Sequence, residues 1–258
     1  MKNIHKKYYL LYLLGALFFS CEMDNYPFPD TKIKGKVIDA VTGEPIQIQQ
    51  TGGINVRPLL RLYQISDQYN STPMVVNIQQ DGTVEDHFMF AGKYKAVIYG
   101  GAFYEGDTVI IDTDAATDEN DAFFTLEATP FIRVDFRIEG TKLIFSADKG
   151  DDRYKEDISM FRMLYNIHPV VAINSAQNQF RGAWSKNVNF ANNEDKPETI
   201  YEFGSEIEYQ LTTDDIPESG TYYFRISARK LNGVSHNYSK IIKLEITEEL
   251  YSQLPEEF

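Results

Sequence analysis

The feature that most constrains this chain is a two-residue alternation of apolar and polar side chains that recurs along it. In TKIKGKVID, Ile33, Gly35 and Val37 alternate with Lys32, Lys34 and Lys36. That period puts the lysines on the wet face of a β-strand and the intervening residues on a buried face. Ile132, Val134, Phe136 and Ile138 alternate in the same way with Arg133, Asp135 and Arg137. Tyr222, Phe224, Ile226 and Ala228 alternate with Tyr223, Arg225, Ser227 and Arg229, and Ile242, Leu244 and Ile246 with Lys243 and Glu245. These spacings predict half-buried antiparallel strands. Further strands are expected around Ile54–Ile65, Met74–Gln79, Val84–Phe90, Tyr94–Tyr99, Thr108–Ile111 and Ala122–Ala128, with turns at Thr42-Gly43-Glu44-Pro45, Asp81-Gly82 and Ala91-Gly92. No helix-period segment of useful length interrupts the series, so the expectation is an all-β chain. Only EELYSQLPEEF, at residues 248–258, has the makings of a helical turn.

The first twenty residues read differently. Lys2, Lys6 and Lys7 precede an apolar run, Tyr8 to Phe19, that ends on the small residue Ser20. The run is shorter than the roughly 20 residues a membrane span needs, and it has the layout of a secretory signal. Cys21, the single cysteine, follows at once in LFFSCEMD. Leu17 and Ser20 suit a lipobox, while Phe18 and Phe19 are bulkier than its usual residues. Cys21 is therefore expected to be the lipidated amino terminus, since several acyl chains at about 0.8 kcal/mol per buried methylene hold a chain on a membrane. Glu22 and Asp24 resemble the acidic export tags of surface lipoproteins. EMDNYPFPDT, with two prolines and no apolar period, reads as an extended tether.

Without residues 1–20 the chain carries 22 basic against 38 acidic residues, a net of −16. That charge repels phosphate backbones, and no basic cluster interrupts it, so nucleic acid is not an expected partner. With no second cysteine there is no internal disulfide, and stability must come from burial. The remaining length suits two domains. The expected organisation is a signal peptide at 1–20, a lipidated tether at 21–31, β-sandwiches at 32–129 and 130–248, and a tail at 249–258. The boundary is placed at Ala128-Thr129-Pro130, where a proline separates two strands.

Catalytic patterns are lacking. His87, His168 and His236 sit in neither an HExxH nor a GxSxG context, so a non-catalytic role is expected and no cofactor is called for. Asp112, Asp114, Asp118 and Asp121 offer hard oxygens suited to calcium, but Thr117 and Phe123 stand where an EF-hand needs Gly and Glu. The bland alternative is a solvated acidic loop. Sugar binding needs aromatic faces with polar partners for hydroxyls. Candidates are Phe103 and Tyr104 in the glycine-rich YGGAFYEGD, Trp184 in the polar stretch Ser175–Asp195, read as a loop, and His236, Asn237 and Tyr238 in the hairpin NGVSHNY. The competing reading for each is an aromatic of the core.

The blocks IKGKVIDAVTGEPI (Ile33–Ile46) and DGTVEDHFMFAGKYKAVIYG (Asp81–Gly100) resemble the transthyretin-like, or carboxypeptidase regulatory-like, family. That resemblance implies a seven-stranded sandwich that carries no chemistry of its own. DDIPESGTYYFRISARKLNGVSHNYSKIIKLEI (Asp214–Ile246) is similar to the last strands of fibronectin type III and immunoglobulin-like sandwiches, with Tyr222 and Tyr223 near the position of that family's corner tyrosine. Taken whole, the chain resembles surface lipoproteins of Bacteroidota-type bacteria encoded beside glycan-import machinery of the starch-utilisation type. The implied function is an accessory glycan-binding lipoprotein of the outer membrane, facing outward. The implied partners are polysaccharide and neighbouring import proteins. The alternative is a structural or protein-interaction module of a surface complex that binds no glycan itself.

Overall fold

A computed structural model describes residues 28–50, 57–66, 72–114, 122–173, 183–189, 201–231 and 233–256, with 183–189 described in the backbone alone. The architecture is all-β. Strands β1 (Thr31–Asp39), β2 (Leu59–Gln64), β3 (Met74–Asn77), β4 (Thr83–Met89), β5 (Lys93–Tyr99), β6 (Val109–Asp112) and β7 (Ala122–Ala128) build two sheets, ordered β4-β1-β7 and β3-β2-β5-β6. All pairings are antiparallel except that of β1 with β7, which is parallel. The inward set of β1 (Ile33, Val37) meets Leu60, Leu62, Tyr94, Ala96 and Leu126 in one core. Gly35 belongs to that inward set because a β-carbon there would lie 2.5 Å from the Phe124 ring. Lys34 and Lys36 are exposed, as the alternation requires.

The second half follows with β8 (Ile132–Glu139), β9 (Lys142–Lys149), β10 (Ile158–Asn166), β11 (Ala183–Asn189), β12 (Ile207–Gln210), β13 (Gly220–Lys230), β14 (His236–Tyr238) and β15 (Ile242–Ile246). One sheet is β12-β9-β8; the other is β11-β10-β13-β14, with β15 also paired to β13. Phe136, Phe145, Phe161, Tyr222 and Phe224 fill the space between them. The Tyr222 hydroxyl donates to the Glu218 carbonyl at 2.9 Å, a tie from the start of one strand back to the loop before it. A short helix, α1 (Glu248–Tyr251), starts at Thr247, whose side chain accepts from the Leu250 N–H.

Three details depart from the alternation-based expectation. The strand expected over 54–65 runs from Leu59 to Gln64, with residues 51–56 outside the described set. Trp184 stands on β11, opposite Tyr165 of β10, and not in a loop. Polar composition misled there, because an edge strand needs little apolar sequence once its neighbour supplies the pairing. Finally, β13 is buried on both faces: Arg225 and Ser227, read as wet, are both fully covered. Their cover is partly the first half of the chain, which a strand-by-strand reading does not see.

The strand directions fix where the halves meet. β1 starts at Thr31, beside the end of β4 and the start of β7. It ends at Asp39, close to the turns that face β8 and β14. Nine residues of strand, roughly 30 Å, separate Thr31 from the junction.

Candidate functional site

The junction is held by polar side chains from both halves. Arg133 of β8 donates from Nε and Nη2 to the two carboxylate oxygens of Asp39, at 2.6 and 2.9 Å. Burial pushes the Asp39 carboxyl up, but the Arg133 hydrogen bond and the Val41 and Thr42 N–H donors outweigh it and hold the group below its ordinary value. Asn237 accepts from the Ile132 N–H at 3.1 Å and donates to the Ala102 carbonyl at 3.0 Å. The Tyr238 hydroxyl donates to Gln49, which in turn donates to the Ile173 carbonyl. Arg225 donates to the carbonyls of Ile48, Val171 and Ser239 at 3.0–3.1 Å and lies 4.4 Å over the Tyr238 ring.

Two hollows flank this junction, and Phe103 lines both. The first, of about 400 Å³, is walled by Tyr104, Phe131, Tyr154, Arg153, Lys230 and the carboxylates of Glu105 and Glu156. The Tyr104 and Phe131 rings meet edge to face at 4.8 Å, and Phe131 stacks on buried Tyr154 at 6.3 Å. Arg153 lies 4.2 Å over the Tyr104 ring and is itself fixed by a bidentate bond to Asp151 at 2.8 and 3.0 Å. Lys230 sits 5.1 Å over Phe131 and 3.0 Å from Glu156. Burial, then the Asp151 charge, raises the Tyr104 phenol, so it stays a hydroxyl donor at neutral pH. The second hollow, about 360 Å³, lies between Asp39, Glu44, Lys240, Asp135 and Asp148. Both volumes fall in the range of about 300–1,000 Å³ usual for small-ligand sites. The first hollow offers ring edges together with pre-oriented groups of both charge signs, with Arg153 over a face of Tyr104 and with Lys230 and Tyr154 against Phe131.

Of the residues singled out from sequence, Phe103 and Tyr104 do come together in a hollow, on the loop between β5 and β6. His236, Asn237 and Tyr238 form strand β14 and not a loop; they are 3–6% exposed and spend their polar atoms on Ser227, Ala102, Ile132 and Gln49, while Asn237 and Tyr238 line the second hollow together with Phe103. Trp184 is described only as a β11 residue. Asp112 pairs with Lys93 at 3.2 Å and accepts from the Asp114 N–H, so its oxygens are already engaged. Asp118, Asp121 and Cys21 lie outside the described residues. His87 is exposed beside Glu85 at 2.8 Å, and His168 is exposed after β10. Among the described residues no group of three or more His, Cys, Asp or Glu side chains is arranged to hold a metal ion, and no helix is long and apolar enough to cross a membrane. Phe131, Arg153 and Lys230 were not legible as site residues. Only the proline before Phe131, which marks the crossing between halves, hinted at that region.

Buried His236 has a measurable consequence. Burial, then the charges of Arg162 and Arg229, lowers its imidazole to about 3. The folded chain therefore keeps His236 neutral at a pH where the unfolded chain, with an ordinary value near 6.5, takes up a proton. This contribution is complete above about pH 6.5 and is lost as pH falls toward 3, by up to about 1.4 kcal/mol per pH unit. Urea unfolding at pH 7 and pH 5 is expected to show a smaller acid loss for His236→Asn than for the unsubstituted chain. Equal losses would show that His236 is not the group responsible.

Residues 31–122 match the family model of the DUF3823 N-terminal domain, described as a protein of unknown function. No curated protein matches. Among solved structures, a DUF3823 family protein from Parabacteroides merdae is similar at TM-score 0.60 and 17% identity, over 85% of this chain and all of that one. A DUF3823 family protein from Bacteroides ovatus is similar at TM-score 0.59 and 18% identity, again over 85% of this chain and all of that one. A protein from Bacteroides uniformis, described as a proposed carbohydrate-binding protein, is similar at TM-score 0.56 and 20% identity over 84% of this chain and 99% of that one. At such identities the likeness shows the fold alone. Residues 31–122 are thus similar to the DUF3823 N-terminal domain, and about 85% of the chain shares the fold of DUF3823 family proteins of Bacteroides ovatus and Parabacteroides merdae.

Proposed function

We propose that this chain is a non-catalytic, lipid-anchored protein of the outer-membrane surface that helps a polysaccharide-uptake system hold its glycan. The observation that carries the reading is the Tyr104–Phe131 hollow, where two rings and fixed groups of both charge signs share a space of about 400 Å³. It gains support from the Bacteroides uniformis relative, whose description proposes carbohydrate binding. In this reading residues 32–129 are a transthyretin-like sandwich and 130–248 a fibronectin type III-like one. The three-plus-four strand order of the first half and the Tyr222 tie to Glu218 favour that assignment. Cys21 would be the acylated terminus.

The test is retardation of the protein in gels that contain single polysaccharides. The unsubstituted chain is expected to be retarded by at least one of them, and Tyr104→Ala and Arg153→Ala to weaken binding about tenfold, as for a residue costing about 1.4 kcal/mol. Their unfolding midpoints should stay close to that of the parent. No retardation by any polysaccharide on a broad panel would end the glycan reading.

A second reading, a docking module for neighbouring surface proteins, has its own observation. The outer face of the four-stranded sheet exposes Val75, Tyr99 and Ile110, with Arg61 lying 3.3 Å over the Tyr99 ring. Co-purification with an import protein without glycan, lost on Val75→Asp, would favour it.

A further inference from the structure

Among the described residues the exposed phenylalanines are Phe28, Phe88, Phe90 and Phe123, at 75, 68, 43 and 65% exposure, and all four lie at one end of the first sandwich. The pairings place them there. Thr31 opens β1 opposite Met89, to whose carbonyl its hydroxyl donates at 2.8 Å, so Phe88 and Phe90 flank the point where the tether enters. Phe123 is opposite Lys34, near the start of β1, on the parallel neighbour β7. Phe28 precedes β1 by two residues. Exposed Ile65 joins them, because its N–H donates at 2.7 Å to the carbonyl of Lys93, at the start of the strand after Phe90. Single exposed apolar residues are ordinary, but a cluster of large ones is not.

The chain itself says what covers the cluster. Cys21 is seven residues before Phe28, a reach of at most about 25 Å when fully extended. If Cys21 carries lipid, this end of the molecule stays beside the bilayer, while the junction is held off by the length of β1. We infer that the tether end is a membrane-docking face whose phenylalanines rest in the headgroup region and orient the sandwiches away from the surface. The inference rests on the lipid-anchor part of the proposed function. The charges alongside are mixed, Lys32, Lys34 and Lys93 against Asp30, Glu85, Asp86 and Asp112, which suits zwitterionic headgroups better than a strongly anionic surface. Long lysine stems can lie along the same apolar layer with their ammonium groups in water.

The test uses the full lipidated chain in phosphatidylcholine vesicles. Cys21 is the single cysteine and is consumed by acylation, so Phe88→Cys, Phe123→Cys and Val41→Cys each offer one free thiol for a nitroxide label. Collision with dissolved oxygen relative to a nickel chelate is expected to be severalfold higher at positions 88 and 123 than at 41, which lies past the far end of β1. Labels at 88 and 123 as water-accessible as the label at 41, on protein that remains vesicle-bound, would overturn the docking face and leave the anchor standing. A mass showing unmodified Cys21 would instead remove the anchor, and the docking inference with it.

Discussion

Arg225→Met is expected to lower the unfolding free energy by about 2–4 kcal/mol and to break one cooperative transition into two. Arg225 is 0% exposed, and among the described residues no carboxylate is paired with it. Burial lowers its guanidinium to about 10, so at neutral pH it is still charged. The charge is accommodated by three backbone carbonyls, those of Ile48, Val171 and Ser239, and by the Tyr238 ring, while Nε–H has no acceptor among the described residues. Methionine would remove the desolvation cost of the cation, which works in the variant's favour. It would also strand three buried acceptors, at about 1–3 kcal/mol each if none finds another donor. The acceptors cannot be replaced along with the arginine, as the partner of an ion pair could be, so the second effect should prevail. Because Ile48 belongs to the first half and Val171 and Ser239 to the second, the loss falls on the junction. Arg225→Lys should behave similarly, since one ammonium cannot span the positions the planar fork reaches. Calorimetry of the parent and both variants checks this. An unchanged or raised midpoint for Arg225→Met would mean that relief of desolvation dominates.

Arg225 also marks the limit of what the sequence discloses. The alternation in β13 located the strand and its inward face, because Tyr222, Phe224, Ile226 and Ala228 are buried by their own sandwich. The opposite face is Tyr223, Arg225, Ser227 and Arg229, a polar set that reads as wet by any local rule. It is covered partly by the first half of the chain, as the 177-residue separation between Arg225 and Ile48 shows, and partly by Val171, His236, Tyr238 and Ser239 of its own half. The same holds for β14: SHNY is polar by composition, yet Asn237 joins Ala102 to Ile132 in the interior. Strand period is local and was readable, and so was the exposure of Lys34 and Lys36. Junction chemistry is long-range and was not. The Tyr104 hollow stands between these cases. Its loop was visible as a glycine-rich aromatic stretch, but the Phe131, Arg153 and Lys230 that complete it come from three other segments.

Gly150→Ala is expected to cost about 3 kcal/mol and to abolish ligand retention by the hollow together with it. A β-carbon at Gly150 would overlap the Pro130 carbonyl oxygen and crowd the Phe131 backbone. The Gly150 N–H donates to the Phe131 carbonyl at 2.8 Å, so the two segments cannot separate without losing that bond. Backbone cannot swing aside as a flexible side chain does, and overpacking of this kind costs about 1–3 kcal/mol or more. Gly43 supplies the control: its φ of 71° strains any other residue, but nothing lies within 4 Å of a β-carbon there. Gly43→Ala should therefore cost only about 1 kcal/mol, from the backbone conformation alone. The displaced segment at Gly150 is the one that carries the Phe131 ring against Tyr104 and bridges Pro130 to Phe103. Stability and polysaccharide retardation should thus fall together in Gly150→Ala, while Gly43→Ala keeps its retardation. A Gly150→Ala chain that unfolds at a much lower urea concentration yet is still retarded as the parent is would place the glycan site elsewhere on the molecule.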